Sequence, residues 1–340
     1  MSGKNWTPGD IFKLFSSTWA GCALQAAVRL DFFTALDEAG AVDEALLIAD
    51  LAGRLECDER ALDMLVTALA ALEFVERDGR AVRLTGAAQK YLSAKSDDYY
   101  GYIIKHTADI LPAWTRLDQA LKSGRRVAGE SAADSRNEVE REAFLMGMFN
   151  VARQQADQTA AALELGGRKK LLDLGGGPGT YAVFFCRRYP ELTATVFDQP
   201  ETEKFAAKIF ARYELAHRLN FVGGDFHSDE LPKNYDVVWI SQVLHGESPG
   251  EAAELIKKAA QSLNEGGLLC IQEFILDDDR RGPAHAALFS LNMLLQTPGG
   301  QAYAQAELME MMTRGGLKNP RRLPPVPLAP DCGVIIGDKL

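Results

Sequence analysis

The sequence predicts an α/β protein in two parts, a mostly helical part over residues 1–166 and a doubly wound sheet over residues 167–340. Three observations carry this expectation. From Thr7 to about Gly166 apolar residues recur three and four apart, the period of amphipathic helices, with few β-branched runs. After Gly167 short apolar runs alternate with helical segments, the pattern of a parallel sheet with helices on both faces. The first strand-to-helix junction of that second part is a glycine-rich turn, Gly175-Gly176-Gly177-Pro178-Gly179.

Within the helical part, Ala45 to Leu55 and Glu59 to Leu72 read as two helices. Phe74 to Leu84 then reads as a hairpin turning at Asp78-Gly79, which completes the outline of a winged helix. Such a unit invites the thought of DNA, and its charge argues against it. From Ala41 to Lys95 there are ten acidic residues against seven basic ones, and the second helix with its flanks carries Asp58, Glu59, Asp63 and Glu73 against a single Arg60. The whole chain points the same way, since 37 basic and 47 acidic residues give 37 − 47 = −10, a charge that repels phosphate backbones. The winged helix is therefore expected to serve packing and dimerisation, with no nucleic-acid partner.

In the second part the expected strands are Lys170 to Leu174, Thr193 to Asp198, Leu219 to Gly223, Tyr235 to Ile240 and Leu268 to Leu276, followed by a C-terminal pair around Val326 and Val334. Parallel sheets of this kind bind ligands beyond the carboxyl ends of their strands, so the site is expected there. With 340 residues, 47% hydrophobic and 25% charged, the chain has material for a real core and is not disordered. The uncharged stretch between Lys13 and Arg29 is too short and too polar for a membrane span, which takes about 20 mostly apolar residues. Cys22, Cys57, Cys186, Cys270 and Cys332 are odd in number and far apart, which fits a reducing cytoplasm and neither a disulfide framework nor a metal site.

The glycine turn follows a strand and opens a helix, where backbone N–H groups are left for an anionic group of a nucleotide-type cofactor, or simply for a tight connection. Its details separate two cofactors. A dinucleotide fingerprint asks for Gly-x-Gly-x-x-Gly, whereas Gly175 and Gly177 are followed by Thr180 in the sixth place. Asp173, just before the turn, suits a cationic amino acid moiety better than a pyrophosphate, and S-adenosylmethionine (SAM) carries such a moiety. Asp198 ends the second strand, where a carboxylate accepts ribose hydroxyls. Asp225 ends the third, placed for the adenine amino group, with Phe226 to pack on the ring. Either acid alone is an ordinary turn residue; three acids ending three successive strands make a nucleoside site.

Methyl transfer from SAM needs a positioned nucleophile and usually a base. His245, just past the fourth strand, has the position for a base, and equally for a capping or core histidine. His106, His217, His227 and His285 read as surface or packing residues.

Together Asp173-Leu-Gly-Gly-Gly-Pro-Gly-Thr180, Phe197-Asp-Gln-Pro200, Gly223-Gly-Asp-Phe226 and the run from Asp236 to His245 resemble the class I SAM-dependent O-methyltransferases of the plant caffeate and acetylserotonin type. The resemblance implies a Rossmann-like SAM-binding domain, and residues 1–166 as a dimerisation and substrate-lid domain of an intertwined homodimer. It implies methylation of a hydroxyl on a small aromatic or otherwise planar molecule, with His245 as general base and Glu273 as the acid that orients it. The family's Leu-His-Asp-Trp-like motif reads Leu244-His245-Gly246-Glu247 here, and Ala302 stands where a second orienting acid is usual. Ser241 replaces a lysine of the plant relatives and is expected to reach the carboxylate end of the cofactor. Met148, Phe149 and Asn150, with Asn292, Met293 and Thr297, are implied to line a substrate chamber between the domains. Methylation of sulfur, a family relative that has lost methyl transfer for decarboxylation or hydroxylation, and a SAM-sensing regulator are the alternatives at this level.

Overall fold

The computed structural model describes residues 5–127, 138–325 and 332–340. The chain packs as two compact units, one up to Asp109 and one from Ile110 onward, so the division expected at 166/167 falls inside the second unit.

In the first unit α1 (Pro8–Arg29) opens on a capping box, in which Thr7 Oγ1 accepts the Asp10 N–H at 3.2 Å and the Asp10 carboxylate accepts the Thr7 N–H at 3.0 Å. The rest is α2 (Phe32–Glu38), β1 (Leu46–Leu47), α3 (Ile48–Arg54), α4 (Glu59–Ala71), β2 (Val75–Asp78), β3 (Ala81–Leu84) and α5 (Gly86–Leu92). The expected winged helix is present, its hairpin paired Val75↔Leu84 to Asp78↔Ala81. The helix expected from Ala45 starts only at Ile48, because Leu46 and Leu47 pair with Val82 and Ala81 as the third strand of the wing. Phe32, Phe33, Leu36, Ile48, Leu51, Val66, Leu69 and Val82 form its closed core. At the other end of α1, Phe12, Phe15 and Trp19 meet edge to face at 6.0–6.3 Å and each is more than half exposed.

The second unit begins within α6 (Gly101–Trp114) and continues through α7 (Leu117–Ser123) and α8 (Glu138–Ala162) into the sheet. Its strands are β4 (Lys170–Leu174), β5 (Thr193–Asp198), β6 (Leu219–Gly223), β7 (Tyr235–Ser241), β8 (Leu263–Phe274), β9 (Lys318–Arg322) and β10 (Cys332–Asp338). Among the described residues they lie in the order β6-β5-β4-β7-β8-β10-β9, the first five parallel and β10 antiparallel to both neighbours. Between them run α9 (Thr180–Arg188), α10 (Glu203–Arg212), α11 (Pro249–Ser262), α12 (Ala284–Gln296) and α13 (Gln305–Arg314).

Alternation along the strands sends side chains to two buried layers. Leu171, Val237, Trp239 and Cys270 face Tyr181 and Phe185 of α9, while Leu172, Val238, Ile240 and Ile271 face Leu255 and Ile256 of α11 and Leu308 and Met312 of α13. Each fully buried aliphatic side chain there contributes about 1.5–3 kcal/mol. This double burial is why these strands read as nearly continuous apolar runs. The partner of β10 is a correction: it is β9, Lys-Asn-Pro-Arg-Arg, and Val326, expected in that place, lies outside the described residues. A strand at a sheet edge tolerates charge and a proline, which removes the apolar signal. Among the described residues no helix is long and apolar enough to cross a membrane.

Candidate active site

The parallel order brings the carboxyl ends of β6, β5, β4, β7 and β8 side by side, and the acids and the histidine singled out from sequence all stand on that edge. At the end of β4, Gly175 has φ +68°, and a Cβ there would come within 2.6 Å of the Val243 side chain. A Cβ on Gly176 would meet the Asp173 carboxyl group at 2.5 Å, so the turn lies directly over that acid. The Gly177 N–H donates to Asp198 Oδ2 at 2.8 Å, which ties the turn to the end of β5.

Asp173 is 1% exposed. Its Oδ2 accepts the Ala182 N–H at 3.2 Å, and its Oδ1 has no hydrogen-bond partner. Burial pushes its pKa up to about 7, the Ala182 N–H opposes the rise, and the nearby Asp198 adds to it. A buried carboxyl group with an unused oxygen under a glycine turn fits a ligand that brings a cation. Asp198 is also raised by burial, and accepts from Gln199 N at 2.8 Å and Thr202 Oγ1 at 3.1 Å besides Gly177. Asp225 Oδ1 accepts the His227 N–H at 2.9 Å, its Oδ2 lies 3.4 Å from Ser228 Oγ, and Phe226 packs its partly buried ring on the α11 side of the sheet. Ser241, on β7, donates its hydroxyl to Gln272 Oε1 at 2.9 Å, a pairing that residue spacing does not reveal.

His245 sits in the single turn Leu244–Gly246 after β7. Its Nδ1 lies 2.7 Å from Glu273 Oε2, and Glu273 Oε1 accepts the Val243 and His245 N–H groups at 2.9 and 3.3 Å. The buried carboxylate thus fixes both the ring and the turn that carries it, and leaves Nε2 for a substrate. Phe289 of α12 meets the His245 ring edge to face at 4.8 Å and lies 4.5 Å from the Phe274 ring, tilted by 52° to it. Sequence reasoning missed Phe289, because α12 is rich in apolar residues and nothing in their spacing marks this one for the site. Ala302 is 1% exposed among Leu276, Ala286 and Ala304, and its N–H donates to Ser290 Oγ at 3.1 Å, so a packed apolar cluster stands in the place of a second acid.

The residues expected to line the substrate chamber take varied positions. Phe149 is wholly buried in the α9-side core, 6.3 Å from Tyr213, while Met148 is partly buried and Asn150 is 3% exposed. Asn292 Oδ1 accepts the Trp114 indole N–H at 3.0 Å, and Met293 is nearly buried. Thr297 Oγ1 donates to the Met293 carbonyl and accepts the Gly300 N–H, both at 2.8 Å, closing the turn after α12. That turn reaches His245: a Cβ on Gly300 would come within 2.3 Å of the His245 carbonyl oxygen.

Residues 114–318 match the model of the O-methyltransferase domain, and residues 12–94 that of the O-methyltransferase dimerisation domain. The chain belongs to the O-methyltransferase family. This O-methyltransferase is 32% identical over 320 residues to 3-hydroxy-5-methyl-1-naphthoate 3-O-methyltransferase of Streptomyces sahachiroi, covering 92% of this chain and 90% of the relative. It is 33% identical to the tetracenomycin polyketide synthesis 8-O-methyl transferase of Streptomyces glaucescens, covering 92% of each. Human N-acetylserotonin methyltransferase, solved in complex with SAM, superposes with a TM-score of 0.87 at 26% identity over 99% of each chain. The protein is thus a SAM-dependent O-methyltransferase, and the glycine turn over Asp173 is the feature of its fold that suits SAM.

Proposed function

We propose that this enzyme methylates a hydroxyl group on a small, planar aromatic molecule, with His245 as general base and Glu273 as the residue that orients it. The observation that carries the reading is the His245–Glu273 pair, in which Nδ1 is engaged at 2.7 Å and the ring is 14% exposed. Engaging Nδ1 with a carboxylate holds its proton there and leaves Nε2 as the acceptor for a substrate proton. SAM, when bound, supplies an electrophilic methyl group. Around it, Asp173 offers an unused oxygen to the amino acid moiety, Asp198 holds the ribose end and the glycine turn in register, and Asp225 with Phe226 takes the nucleobase.

The substrate class rests on two supports. The Streptomyces relatives are named for a hydroxynaphthoate and for a polyketide, both at O-methylation. The packed apolar cluster at Ala302 supplies no second acid to the base, which suits a hydroxyl as acidic as a phenol's. A homodimer is supported by the dimerisation domain and by the exposed ring cluster Phe12, Phe15 and Trp19. In the wing Arg77, Arg80 and Arg83 are paired with Asp63, Glu59 and Glu76, which supports a role other than nucleic-acid binding. The odd number and wide spacing of the five cysteines support a cytoplasmic setting. The deciding experiment incubates purified protein with methyl-labelled SAM and a panel of phenols, hydroxynaphthoates, thiols and aliphatic alcohols. Label on phenolic oxygen is expected; label on sulfur or on an aliphatic oxygen alone would overturn the substrate class.

A further inference from the structure

The loops after β6 and β7 are joined by two residues that the catalytic reading does not use. Glu247, two residues past His245, places Oε2 3.4 Å from His227 Nε2. His227 lies beside Phe226, ring centroids 4.6 Å apart at 51°, and its N–H is held by Asp225. Both ends are anchored. Lys258 of α11 donates to the carbonyls of Phe226, His227 and Asp229 at 2.5, 3.3 and 2.8 Å, and the Tyr303 hydroxyl donates to the Glu247 carbonyl at 2.6 Å.

The pair is asymmetric in a way that fold stability alone does not explain. The Glu247 side chain is 12% exposed and the His227 ring 50%, so a largely desolvated carboxylate is held against a half-solvated imidazole. Desolvation raises the Glu247 pKa, Glu251 and Asp225 raise it further, and His227 and His245 oppose them. An ion pair with one half-exposed partner returns little to the fold, and this one stands where the resembled family carries Asp-Trp instead of Gly246-Glu247.

We propose that His227 and Glu247 form an ionic clasp across the nucleobase edge of the SAM site, holding the tilted imidazole beside Phe226 so that it walls the edge of a base packed on the phenyl ring. The clasp makes cofactor affinity depend on a charge pair. It rests on the reading of Asp225 and Phe226 as the nucleobase end.

The test is calorimetric titration of S-adenosylhomocysteine into the full-length protein, its Glu247→Gln and His227→Gln variants and the double variant. At pH 6, where an ordinary imidazole carries charge, each single change is expected to weaken binding about two- to fivefold, and the double change no more than either alone. At pH 9, where an imidazole is neutral, Glu247→Gln and the parent should bind alike. Thermal melts check folding, which neither change threatens, since His227 is half-exposed and glutamine keeps the size of Glu247. Unchanged affinity in Glu247→Gln, additive losses in the double variant, or a loss that persists at pH 9 would each overturn the clasp. An Asp225→Ala variant separates the two readings. Full affinity in Asp225→Ala overturns the nucleobase end itself, whereas weakened binding there with full affinity in Glu247→Gln overturns the clasp alone.

Discussion

One carboxylate, that of Glu273, holds His245 twice: Oε2 lies 2.7 Å from the imidazole Nδ1, and Oε1 accepts the residue's own backbone N–H at 3.3 Å together with that of Val243. Glu273→Gln tests both functions at once. The two backbone N–H groups demand the amide oxygen, which turns the NH2 toward Nδ1 and forces the proton onto Nε2, where it blocks proton acceptance. Turnover is expected to fall by about 10²–10⁴ with S-adenosylhomocysteine affinity kept. Glu273→Ala should in addition lower the melting temperature, because two buried N–H groups lose their acceptor. A Gln variant with full turnover would remove Glu273 from the chemistry.

His245→Ala is expected to lower kcat by about 10²–10⁴-fold while leaving S-adenosylhomocysteine affinity and thermal stability close to the parent. The residual rate should rise with pH as the substrate's own ionisation replaces the base. Stopped assays over pH 6–10, with calorimetry on the same variant, read this directly. A catalytic loss that merely tracks lost binding or lost folding would make His245 a structural residue.

Asp173 gives a pH signature. Burial raises its folded pKa to about 7 from an ordinary 3.8, so between those values the folded chain keeps a proton that the unfolded chain has released. Ligand-free stability contributed by this group therefore falls as pH rises through that window and is level above it. A bound ammonium group favours the ionised form, so binding S-adenosylhomocysteine should expel a proton and tighten as pH rises through the same window. Titrations near pH 6 in two buffers of different ionisation heat should differ for the parent and agree for Asp173→Asn. Equal heats in the parent would place the cofactor's cation elsewhere.

Asp198 accepts Gly177 N–H, Gln199 N–H and the Thr202 hydroxyl. Its replacement by alanine releases the glycine turn as well as the ribose end, and should weaken S-adenosylhomocysteine binding roughly tenfold or more, each hydrogen bond contributing about 1 kcal/mol. Calorimetry showing parental affinity would take Asp198 out of the site.

The exposed rings of Phe12, Phe15 and Trp19 bear on assembly. Sedimentation should give twice the 37.2 kDa chain mass for the parent and a single-chain mass for Phe15→Glu or Trp19→Glu. A parent that sediments as one chain refutes the dimer.

The sheet from β4 to β8 was legible because each of its strands is buried on at least one face, so that apolar runs and the acids ending them survive in the sequence. The winged helix was legible through Asp78-Gly79. β9 was not, since four polar residues and a proline at an exposed edge carry no apolar periodicity. Leu46-Leu47 read as helix because two residues are too few to show alternation. In the site, Asp173, Asp198 and His245 announced themselves by position, whereas Phe289, Gln272 and the pairing of His227 with Glu247 depend on contacts between distant segments. Spacing alone holds no trace of such contacts.

The register of β8 against β10 sets Glu273 opposite Gly333, where any side chain would strike Ile275 and Arg322. Glycine at 333 thus lets β10 lie close against the stretch of β8 that carries Glu273. A larger residue there would push the two strands apart, and Glu273 would pass the displacement to the turn that carries His245. A substitution on β10 in this way disturbs the histidine without touching it.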